Sequence, residues 1–385
     1  MIKDFYEPAE DSLLLAEQVK RYAQGKVLDM GTGSGIQAIE ASKNARSVLA
    51  VDINLAALKA AKQNAAKHGI RNLSFRRSDL FSNVKGKFDL IIFNPPYLPQ
   101  DKGIKDSAIY GGKQGHELVE RFLCEAGNHL ADDGAILLLF SSLTGKKKVD
   151  GLISINLFEH KQLSTQHIFF EDLYVYLLKK SALNKKLSIV LGLTPYASGK
   201  RGVVYTGKYK GKNVAVKIKN PSSGAAARIQ IEAHILAALN KRGIGPKVFE
   251  AEDDFIIMEY VKGILILDYF EASTKAQIKA VVKKILLQLY TLDELKINKD
   301  EMHHPVKHII VRRGTPVLID FERAKYSPKA HNVTQFCQFM TNRNVGEIIE
   351  KKGINISKKD MMALAKEYSR DNIKKILGRI ISAIR

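Results

Sequence analysis

The sequence predicts two domains, an α/β domain over residues 1–183 and an α+β domain over residues 184–385. The first half alternates short apolar runs with helical patterns, which is typical of a parallel sheet covered by helices on both faces. The second half begins with strands and then becomes helical. Lys179 to Lys186 is polar and Lys-rich, which favours a linker, and 385 residues are enough for two domains.

Composition narrows the classes of protein to consider. Cys124 and Cys337 are the only cysteines, which excludes a disulfide framework and a Cys-rich zinc site. The N-terminus lacks the apolar core of a signal peptide, and no apolar run is long enough to span a membrane. We therefore expect a cytoplasmic enzyme with no membrane partner.

The formal net charge of +21 favours an anionic partner such as RNA, a ribosome or a nucleotide. A Lys-rich solvated surface would give the same count. The same two interpretations, a solvated helix face and an RNA or ribosome contact, apply to the basic helical end of the chain, with its lysines at Lys351, Lys352, Lys358, Lys359, Lys374 and Lys375.

The first half contains five runs that predict strands of a parallel sheet: Lys26 to Met30, Ser47 to Asp52, Asn72 to Arg76, Phe88 to Phe93 and Ala135 to Phe140. Helical patterns separate them, notably Asn54 to His68 and Gln114 to Leu130. Phe169 to Tyr176 predicts a further strand, which could lie antiparallel at the edge. Ligands bind at the carboxyl ends of parallel strands, so the polar residues there are the candidates for a site.

A glycine-rich loop, Leu28 to Gly35, follows the first strand. Its pattern is G-x-G-x-G, and glycine allows a sharp turn and a close approach of the backbone to a ligand. A dinucleotide fingerprint would have Gly or Ala at position 36, where this chain has Ile36. The loop therefore predicts a nucleotide-binding turn of another kind, with cofactor-binding candidates Asp29, Gly31, Gly33 and Gly35.

Two further carboxylates end the second and third strands. Asp52 can accept hydrogen bonds from both ribose hydroxyls of a nucleotide, and Asp79 can bind the adenine amino group. An Asp at position 52 would also suit the N-cap of the next helix.

Asn94-Pro95-Pro96-Tyr97 directly follows the fourth strand, so the Asn lies where the strand ends and a rigid turn begins. The Asn94 side-chain carbonyl and the Pro95 backbone carbonyl can accept both hydrogens of a planar NH2 group. Such positioning by fixed dipoles activates a poor nucleophile. Tyr97 can stack on the target and face a sulfonium cation. With the glycine loop, this turn predicts methyl transfer from S-adenosylmethionine to an amide or amine nitrogen.

Four segments together resemble the HemK-related glutamine methyltransferases, and within them the archaeal and eukaryotic branch: Tyr6 to Ser12, Leu28 to Gly35, Asn94 to Tyr97 and Phe169 to Val175. The resemblance covers about residues 1–180. It implies a class I methyltransferase with a Rossmann-like sheet, and N5-methylation of the Gln in the Gly-Gly-Gln loop of class 1 release factors. It also implies that the N-terminal segment closes over the donor, through Pro8, Glu10 and Asp11.

The same family allows variations in partner and substrate. Its archaeal and eukaryotic branch can use a small zinc-binding activator subunit, and some members methylate lysine. The rival hypothesis is a nucleic-acid methyltransferase, acting on adenine N6 or rRNA guanine N2, because these enzymes share the Asn-Pro-Pro-Tyr turn and because the chain is basic.

The second half predicts a nucleotide site of a different design. Strands at Val203 to Tyr205 and Val214 to Ile218 are joined at Gly211, and a helix from Gly224 to Asn240 follows. Strands at Lys247 to Glu250 and Phe255 to Tyr260 come next. Beyond them, six apolar residues recur at helical spacing and predict a buried helix face: Ile278, Val281, Val282, Ile285, Leu286 and Leu289.

A Gly turn between strands can cover phosphates, and a strand Lys can neutralise them. Gly199 to Gly202 and Lys217 fit these two roles. Glu232 on the following helix could pair with Lys217. The backbone of Met258 to Tyr260, with Glu259 at its centre, would hold adenine, and Asp320 would bind Mg²⁺.

This half resembles the atypical protein kinases of the RIO and related archaeal groups over about residues 185–330, which implies ATP and Mg²⁺ as cofactors. It also departs from them. The usual His-Arg-Asp loop is missing, and Glu301 or Asp300 takes the place of the catalytic Asp. His308 stands where the metal-binding Asn belongs, and Glu322 replaces the Gly of Asp-Phe-Gly. A weak kinase, an ATPase, a pseudokinase clamp and a module that docks on the translation machinery are the open alternatives.

Overall fold

The computed structural model describes residues 8–98, 111–199, 202–219, 226–369 and 373–384. The chain forms two compact units, residues 1–195 with 207–210 and residues 196–206 with 211–385. Among the described residues, no helix is both long enough and apolar enough to cross a bilayer.

The first unit is built on a seven-stranded sheet with the order β3-β2-β1-β4-β5-β7-β6. Its strands are β1 Lys26–Met30, β2 Ser47–Asp52, β3 Leu73–Arg77, β4 Phe88–Phe93, β5 Leu130–Ser141, β6 Phe158–Ile168 and β7 Glu171–Lys180. Its helices are α1 Glu10–Tyr22, α2 Ile36–Ser42, α3 Leu55–Lys67, α4 Glu117–His129, α5 Lys146–Ile155 and α6 Ala182–Lys186. The first five strands are parallel, and β7 lies antiparallel between β5 and β6. The predicted α/β class is confirmed.

The register of the parallel strands decides where the site lies. Met30 of β1 is opposite both Val51 of β2 and Phe93 of β4. Gly31, Asp52 and Asn94 therefore leave the sheet side by side. The strand order reverses between β1 and β4, and ligands bind at such a switch point in open α/β sheets.

Both faces of the central strands β1, β4 and β5 are buried, because helices cover each side of the sheet. Neighbouring residues of one strand point to opposite sides. Leu28 packs in the cluster that contains Phe122 of α4, whereas Val27 packs with Leu15 of α1. This double burial explains why the strands appear in the sequence as continuous apolar runs.

The strand predicted at Phe169 to Tyr176 is confirmed as β7, which is antiparallel to both of its neighbours but is not the edge strand. Its predicted start is wrong, because Phe169 and Phe170 form the turn of a hairpin between β6 and β7. β6 was missed because it is an edge strand with mostly polar, exposed side chains.

The linker predicted at Lys179 to Lys186 is also wrong. Lys180 ends β7, and α6 continues with Ser181 as its N-cap, because the Ser181 side chain accepts a hydrogen bond from the Asn184 N–H. Leu187 is then buried, so the chain stays ordered past the expected boundary at 183.

The second unit contains most of a five-stranded sheet with the order β11-β12-β10-β9-β8. The elements of this part are β8 Leu191–Ser198, β9 Gly202–Tyr209, β10 Lys212–Lys219, α7 Ala226–Asn240, β11 Val248–Ala251 and β12 Phe255–Glu259. β8 was not predicted. The other strands and the helix agree with the predictions within a few residues at their ends.

The remainder of this unit is mainly helical, as expected. Its elements are β13 Ile264–Leu265, α8 Ile266–Ala272, α9 Lys275–Glu294, β14 Ile297–Asn298, β15 Ile309–Arg312, β16 Thr315–Leu318, β17 Lys325–Tyr326, α10 Asn332–Met340, α11 Arg343–Glu350, α12 Lys358–Tyr368 and α13 Ile373–Ser382. The long helix α9 begins with a capping box formed by Thr274 and Gln277, and its predicted apolar stripe is buried.

Candidate functional site

A cavity of about 440 Å³ opens at the carboxyl edge of β1, β2, β3 and β4. The structure brings ten of the predicted residues to its wall: Pro8, Asp11, Asp29, Gly31, Gly33, Asp52, Asp79, Asn94, Pro95 and Tyr97. Two others are not part of this wall. Glu10 is exposed on α1, and Gly35 has a different role. Tyr6 and Glu7 of the N-terminal motif lie outside the described residues.

The glycine loop follows β1 with three positive φ angles, 66° at Gly31, 53° at Gly33 and 89° at Gly35. These values favour glycine, since other residues adopt them at a cost. Gly35 serves packing, because a Cβ atom there would lie 2.9 Å from the Cβ of Ala61 on α3. The two earlier glycines shape the wall of the cavity.

Asp29 fixes this loop from inside. Its Oδ2 accepts hydrogen bonds from the Thr32 hydroxyl at 2.6 Å and from the Ala38 N–H at 3.1 Å. Burial raises the pKa of the Asp29 carboxyl to about 7, although both hydrogen bonds oppose this shift. These contacts show Asp29 holding the loop in its conformation, while the side chain also reaches the cavity wall.

Asp52 links the glycine loop to the start of α3. Its two carboxylate oxygens accept hydrogen bonds from the Gly33 N–H at 2.9 Å and from the Asn54 N–H at 2.8 Å. The alternative that Asp52 is the N-cap is wrong, because Asn54 caps α3 by accepting from the Ala56 N–H. Asp52 therefore holds its carboxylate at the cavity wall beside the loop.

Asp79 lies after β3 and is bound by a residue that the sequence analysis missed. Arg121 on α4 donates to both carboxylate oxygens, at 3.1 and 2.9 Å. The pair is about half exposed, so its contribution to stability is small. The guanidinium holds the Asp79 carboxylate in place at the cavity wall.

Asn94 shows the most informative contact of the site. Its Nδ2 donates to Oδ2 of Asp11 at 2.9 Å, and Asp11 is only 3% exposed. A carboxylate accepts hydrogen bonds, so this contact fixes which end of the Asn94 amide is the NH2 group. The carbonyl oxygen Oδ1 of Asn94 is buried and accepts no hydrogen bond from any residue that the structure describes. Buried acceptors are normally satisfied, which indicates that this oxygen receives its donor from a bound molecule.

The rest of the Asn-Pro-Pro-Tyr turn is held by its surroundings. The backbone carbonyl of Tyr97 accepts a hydrogen bond from the Thr144 hydroxyl at 3.2 Å. Before the turn, the Phe93 ring stacks on Phe122 of α4 with the ring centres 4.3 Å apart. The turn is thus supported on both sides, as a preorganised site requires.

The second unit contains a charged cluster around Lys217 of β10. Its Nζ lies 2.8 Å from a Glu232 carboxylate oxygen on α7, and 3.1 Å from oxygens of both Asp320 and Glu322. The Lys–Glu pairing was predicted, whereas the contact with Glu322 was missed. Burial alone would lower the pKa of Lys217, but the charges of Glu232 and Asp320 outweigh it and raise the pKa above its usual range.

The loop after β14 brings the predicted acidic residues to different partners. Glu301 contacts Nε2 of His308 at 3.3 Å and Nη1 of Arg323 at 2.6 Å. Asp300 instead pairs with Lys325. Burial lowers the pKa of His308, and nearby Lys299 lowers it further. Of the two acidic residues predicted in this loop, Glu301 is the one that contacts His308, and Asp320 lies 3.9 Å from the other ring nitrogen of His308.

Lys299 in this loop was not singled out by the sequence analysis. It is 1% exposed, and its Nζ donates to the backbone carbonyl of Asp320 and lies 4.7 Å from the centre of the Phe321 ring. Burial lowers its pKa to about 8. Lys299 ties the loop to the Asp-Phe-Glu segment.

Two further predictions for this unit have mixed outcomes. The N–H groups of Glu259 and Tyr260 donate to Lys247 and Asn213 carbonyls, so these two donors are not free to bind adenine. Gly199 and Gly202 close a turn, because the Gly199 N–H donates a 3.0 Å hydrogen bond to the Gly202 carbonyl. Lys200 and Arg201 lie outside the described residues.

Within the described ranges, no three His, Cys, Asp or Glu side chains are arranged to hold a metal ion, so Mg²⁺ at Asp320 stays a prediction.

The fold and cavity of the first unit define a class I methyltransferase that depends on S-adenosylmethionine. Residues 9–169 match the family model of the methyltransferase small domain. A candidate protein N5-glutamine methyltransferase of Methanocaldococcus jannaschii is 43% identical over 178 residues, which are 45% of this chain and 90% of that protein. The chain belongs to this family, and the HemK resemblance of the first half is confirmed.

The matches to other relatives span a smaller fraction of those proteins. Release factor glutamine methyltransferases of Deinococcus radiodurans and Lactococcus lactis are 35% and 34% identical, and the matches span 49% and 60% of those proteins. The solved Mtq2–Trm112 complex from E. cuniculi, which is responsible for methylation of the eRF1 translation termination factor, matches at 28% identity. That match covers 46% of this chain and 99% of the other, with a TM-score of 0.39.

Proposed function

We propose that the first unit methylates the side-chain amide nitrogen of a glutamine in a protein, namely the Gln of the Gly-Gly-Gln loop of a class 1 release factor. The observation that carries this proposal is the buried Oδ1 of Asn94, which accepts no hydrogen bond within the described part of the chain, while Nδ2 of the same amide donates to Asp11. The NH2 group of a primary amide can donate a hydrogen bond to this oxygen. The names of the bacterial relatives support the same substrate.

The chain itself supplies orientation and not a strong base. An amide nitrogen is a poor nucleophile, because its lone pair is delocalised into the carbonyl group. Asn94 Oδ1 and the Pro95 carbonyl each accept one of its hydrogens, which points the lone pair at the methyl carbon. S-adenosylmethionine, when bound, supplies that methyl group on a positively charged sulfur. On transfer the glutamine nitrogen would gain the methyl group and release one proton to water, and the donor would leave as a neutral thioether.

The residues present suit this donor. The glycine loop allows close approach of the backbone, and Asp52 and Asp79 offer acceptors for ribose and adenine at the wall of the same cavity. The acidic side chains of the wall suit a ligand that carries a sulfonium cation. Tyr97 adds an aromatic face for that cation.

The charge of the cavity favours a protein substrate over a nucleic acid. Its described wall has five acidic side chains and no Lys or Arg: Asp11, Asp29, Asp52, Asp79 and Glu171. Burial raises the pKa of Asp29 to about 7, and Arg121 pairs with Asp79, so the negative charge of the wall comes mainly from Asp11, Asp52 and Glu171. Nucleic-acid binding depends on neutralising phosphates with Lys and Arg. A phosphate next to the target base would meet repulsion at this wall, whereas the neutral backbone of a protein loop would not.

The test is methylation of the cognate release factor by the full chain with labelled S-adenosylmethionine. We expect a gain of one methyl group on the glutamine, located by fragment mass spectrometry. Asn94→Ala should abolish transfer while calorimetric donor binding survives. Label that enters RNA or DNA and not the release factor would establish the rival function, and full activity of Asn94→Ala would refute the role of that residue.

We further propose that the second unit binds ATP in the manner of an atypical protein kinase. The observation in favour is the Lys217–Glu232 pair, which joins a central strand to α7 beside Asp320. In protein kinases a strand Lys paired with a helix Glu holds the phosphates, and an Asp holds Mg²⁺. Mg²⁺ that arrives with a nucleotide needs only one or two carboxylates from the protein.

Calorimetry with ATP and Mg²⁺ tests this second proposal. Lys217→Ala should weaken ATP binding at least tenfold, since the phosphates lose their cation, and Lys283→Ala at an exposed position of α9 is the control. Equal affinities of wild type and Lys217→Ala would refute the site. If ATP binds, loss of phosphoryl transfer in Glu301→Gln with binding retained would separate a kinase from a nucleotide clamp.

The family resemblance adds a small zinc-binding activator subunit as a proposed partner. The solved E. cuniculi relative is a complex of two proteins, Mtq2 and Trm112. Co-expression with a small zinc-binding protein of the source organism, followed by gel filtration, tests whether this chain also takes such a partner.

A further inference from the structure

The hairpin turn between β6 and β7 carries two phenylalanines with almost no cover. Phe169 is 89% exposed and Phe170 is 95% exposed. Among the large apolar side chains of the described residues, the next most exposed is Leu191 at 71%. Two neighbouring aromatic rings exposed to water contribute no burial to the stability of the fold. Exposed apolar groups of this kind often mark a site of interaction with another molecule.

The backbone of this turn departs from local rules in the same place. Ile168 pairs with Glu171, so the loop has only two residues. Phe169 has a positive φ of 39°, where such hairpin loops normally carry Gly, Asn or Asp. A bulky residue in this conformation is strained, and strain of this kind is retained at functional sites. Two independent features, exposure and conformation, thus point to the same two rings.

The turn is attached to the active-site cavity. Ile168 and Glu171, which flank the two rings, both line the cavity that contains Asn94. The Ser141 hydroxyl at the end of β5 donates to the Glu171 carboxylate, and the Asp172 N–H donates to the Ser142 hydroxyl at 3.0 Å. The base of the hairpin is therefore fixed at the mouth of the cavity, and the rings extend from it.

We propose that Phe169 and Phe170 grip the backbone of the protein substrate beside the methylated glutamine, an inference that rests on the proposed function. A glutamine side chain spans only about 5 Å from Cα to the amide nitrogen. A glutamine that reaches Asn94 must therefore bring its own backbone to the cavity mouth. Glycines next to it leave flat peptide faces without side chains, against which aromatic rings can pack closely.

The charges around the turn favour this occupant over a nucleotide strand. Aromatic rings can also stack on bases, but Glu171 and Asp172 directly follow the two rings. A phosphate backbone would be repelled by these carboxylates. A glycine-rich protein loop carries no charge at this point and can pack there without such a penalty.

The test compares the full wild-type chain with the double variant Phe169→Asn/Phe170→Gly. Asn-Gly is the preferred sequence for a two-residue hairpin loop, so the variant removes both rings while keeping the turn stable. We measure the Kd for the cognate release factor by calorimetry in the presence of S-adenosylhomocysteine, and kcat and KM for methyl transfer. Tyr326→Ser removes an exposed aromatic ring from the second unit and is the matched control.

We expect Kd and KM for the release factor to rise on the order of tenfold or more in the double variant, as for aromatic anchors of an interface. Donor affinity and the melting temperature should not fall, and Tyr326→Ser should behave as wild type. Equal Kd values for wild type and the double variant would overturn the grip while leaving glutamine methylation intact. A wild-type chain that neither binds nor methylates the release factor would overturn the grip and the proposed function together.

Discussion

The contact between Asp11 and Asn94 allows a graded test of how the site works. Asp11 accepts from the Asn94 NH2 group at 2.9 Å, while its other oxygen accepts from the Ser12 N–H at 2.6 Å. We interpret Asp11 as a positioning residue that holds the Asn94 carbonyl toward the substrate. The family resemblance implies instead that this segment acts on the donor. Substitution of Asp11 separates the two roles.

The size of the effect follows from the bond that is lost. A hydrogen bond to a charged group contributes about 1.5–3 kcal/mol. If that free energy holds Asn94 in its productive orientation, Asp11→Ala should lower kcat roughly 10- to 150-fold, at about 1.4 kcal/mol for each factor of ten. Asp11→Asn keeps an oxygen acceptor without the charge, so its kcat should lie between those of wild type and Asp11→Ala.

The assay is single-turnover methylation of the release factor at saturating donor, combined with calorimetric donor binding. Asp133→Asn changes a carboxylate that is 95% exposed and serves as control. Thermal melting checks that the loss of the Ser12 contacts has not unfolded α1. An unchanged single-turnover rate in Asp11→Ala would refute the positioning role. Loss of donor affinity with an unchanged rate at saturation would establish the donor-binding role instead.

Three further predictions concern the donor loop. Asp52→Ala should weaken S-adenosylmethionine binding about tenfold or more by calorimetry, since the ribose loses its acceptor, and Asp133→Ala should leave it unchanged. Folded Asp29 keeps its proton up to about pH 7, whereas the unfolded chain releases it near 3.8, so this group lowers stability as pH rises between these values. Asp29→Asn cannot ionise and should lose less stability over that window in denaturant titrations; parallel curves would contradict the assignment. Gly35→Ala should lower the melting temperature more than Gly86→Ala, because both glycines have φ near 90° but only the first would place its Cβ against α3. Equal losses of melting temperature in the two variants would show that the contact with α3 adds no cost to the strained backbone conformation.

The elements that the sequence predicted well are those with a strong local signal. β1, β2 and β4 have the predicted limits because they are mostly apolar and because Gly31, Asp52 and Asn94 mark their carboxyl ends. The apolar stripe of α9 repeats over several turns, so its burial could be predicted too. β6 has no such signal, because an edge strand with a polar face alternates weakly.

Most of the predicted residues of the first site reach the cavity, because strand ends in a parallel sheet meet at one edge. Glu10 and Gly35 do not line the cavity, and the reasons differ. Glu10 and Asp11 are neighbours in sequence, but only Asp11 points into the protein, since successive residues of a helix lie about 100° apart. Gly35 has the positive φ expected of its loop, yet its lack of a side chain serves the packing of α3.

By itself, the sequence determined the fold class, the order of the strands along the chain and the two motifs of the donor loop and the Asn-Pro-Pro-Tyr turn. These depend on interactions between residues close in the chain. The tertiary structure alone decided that Asp11 meets Asn94 across 83 residues, that Arg121 binds Asp79, and that two exposed phenylalanines lie between the cavity-lining residues Ile168 and Glu171. Such contacts depend on how strands pair and how helices pack on them. No local pattern of residues encodes which distant residues will meet.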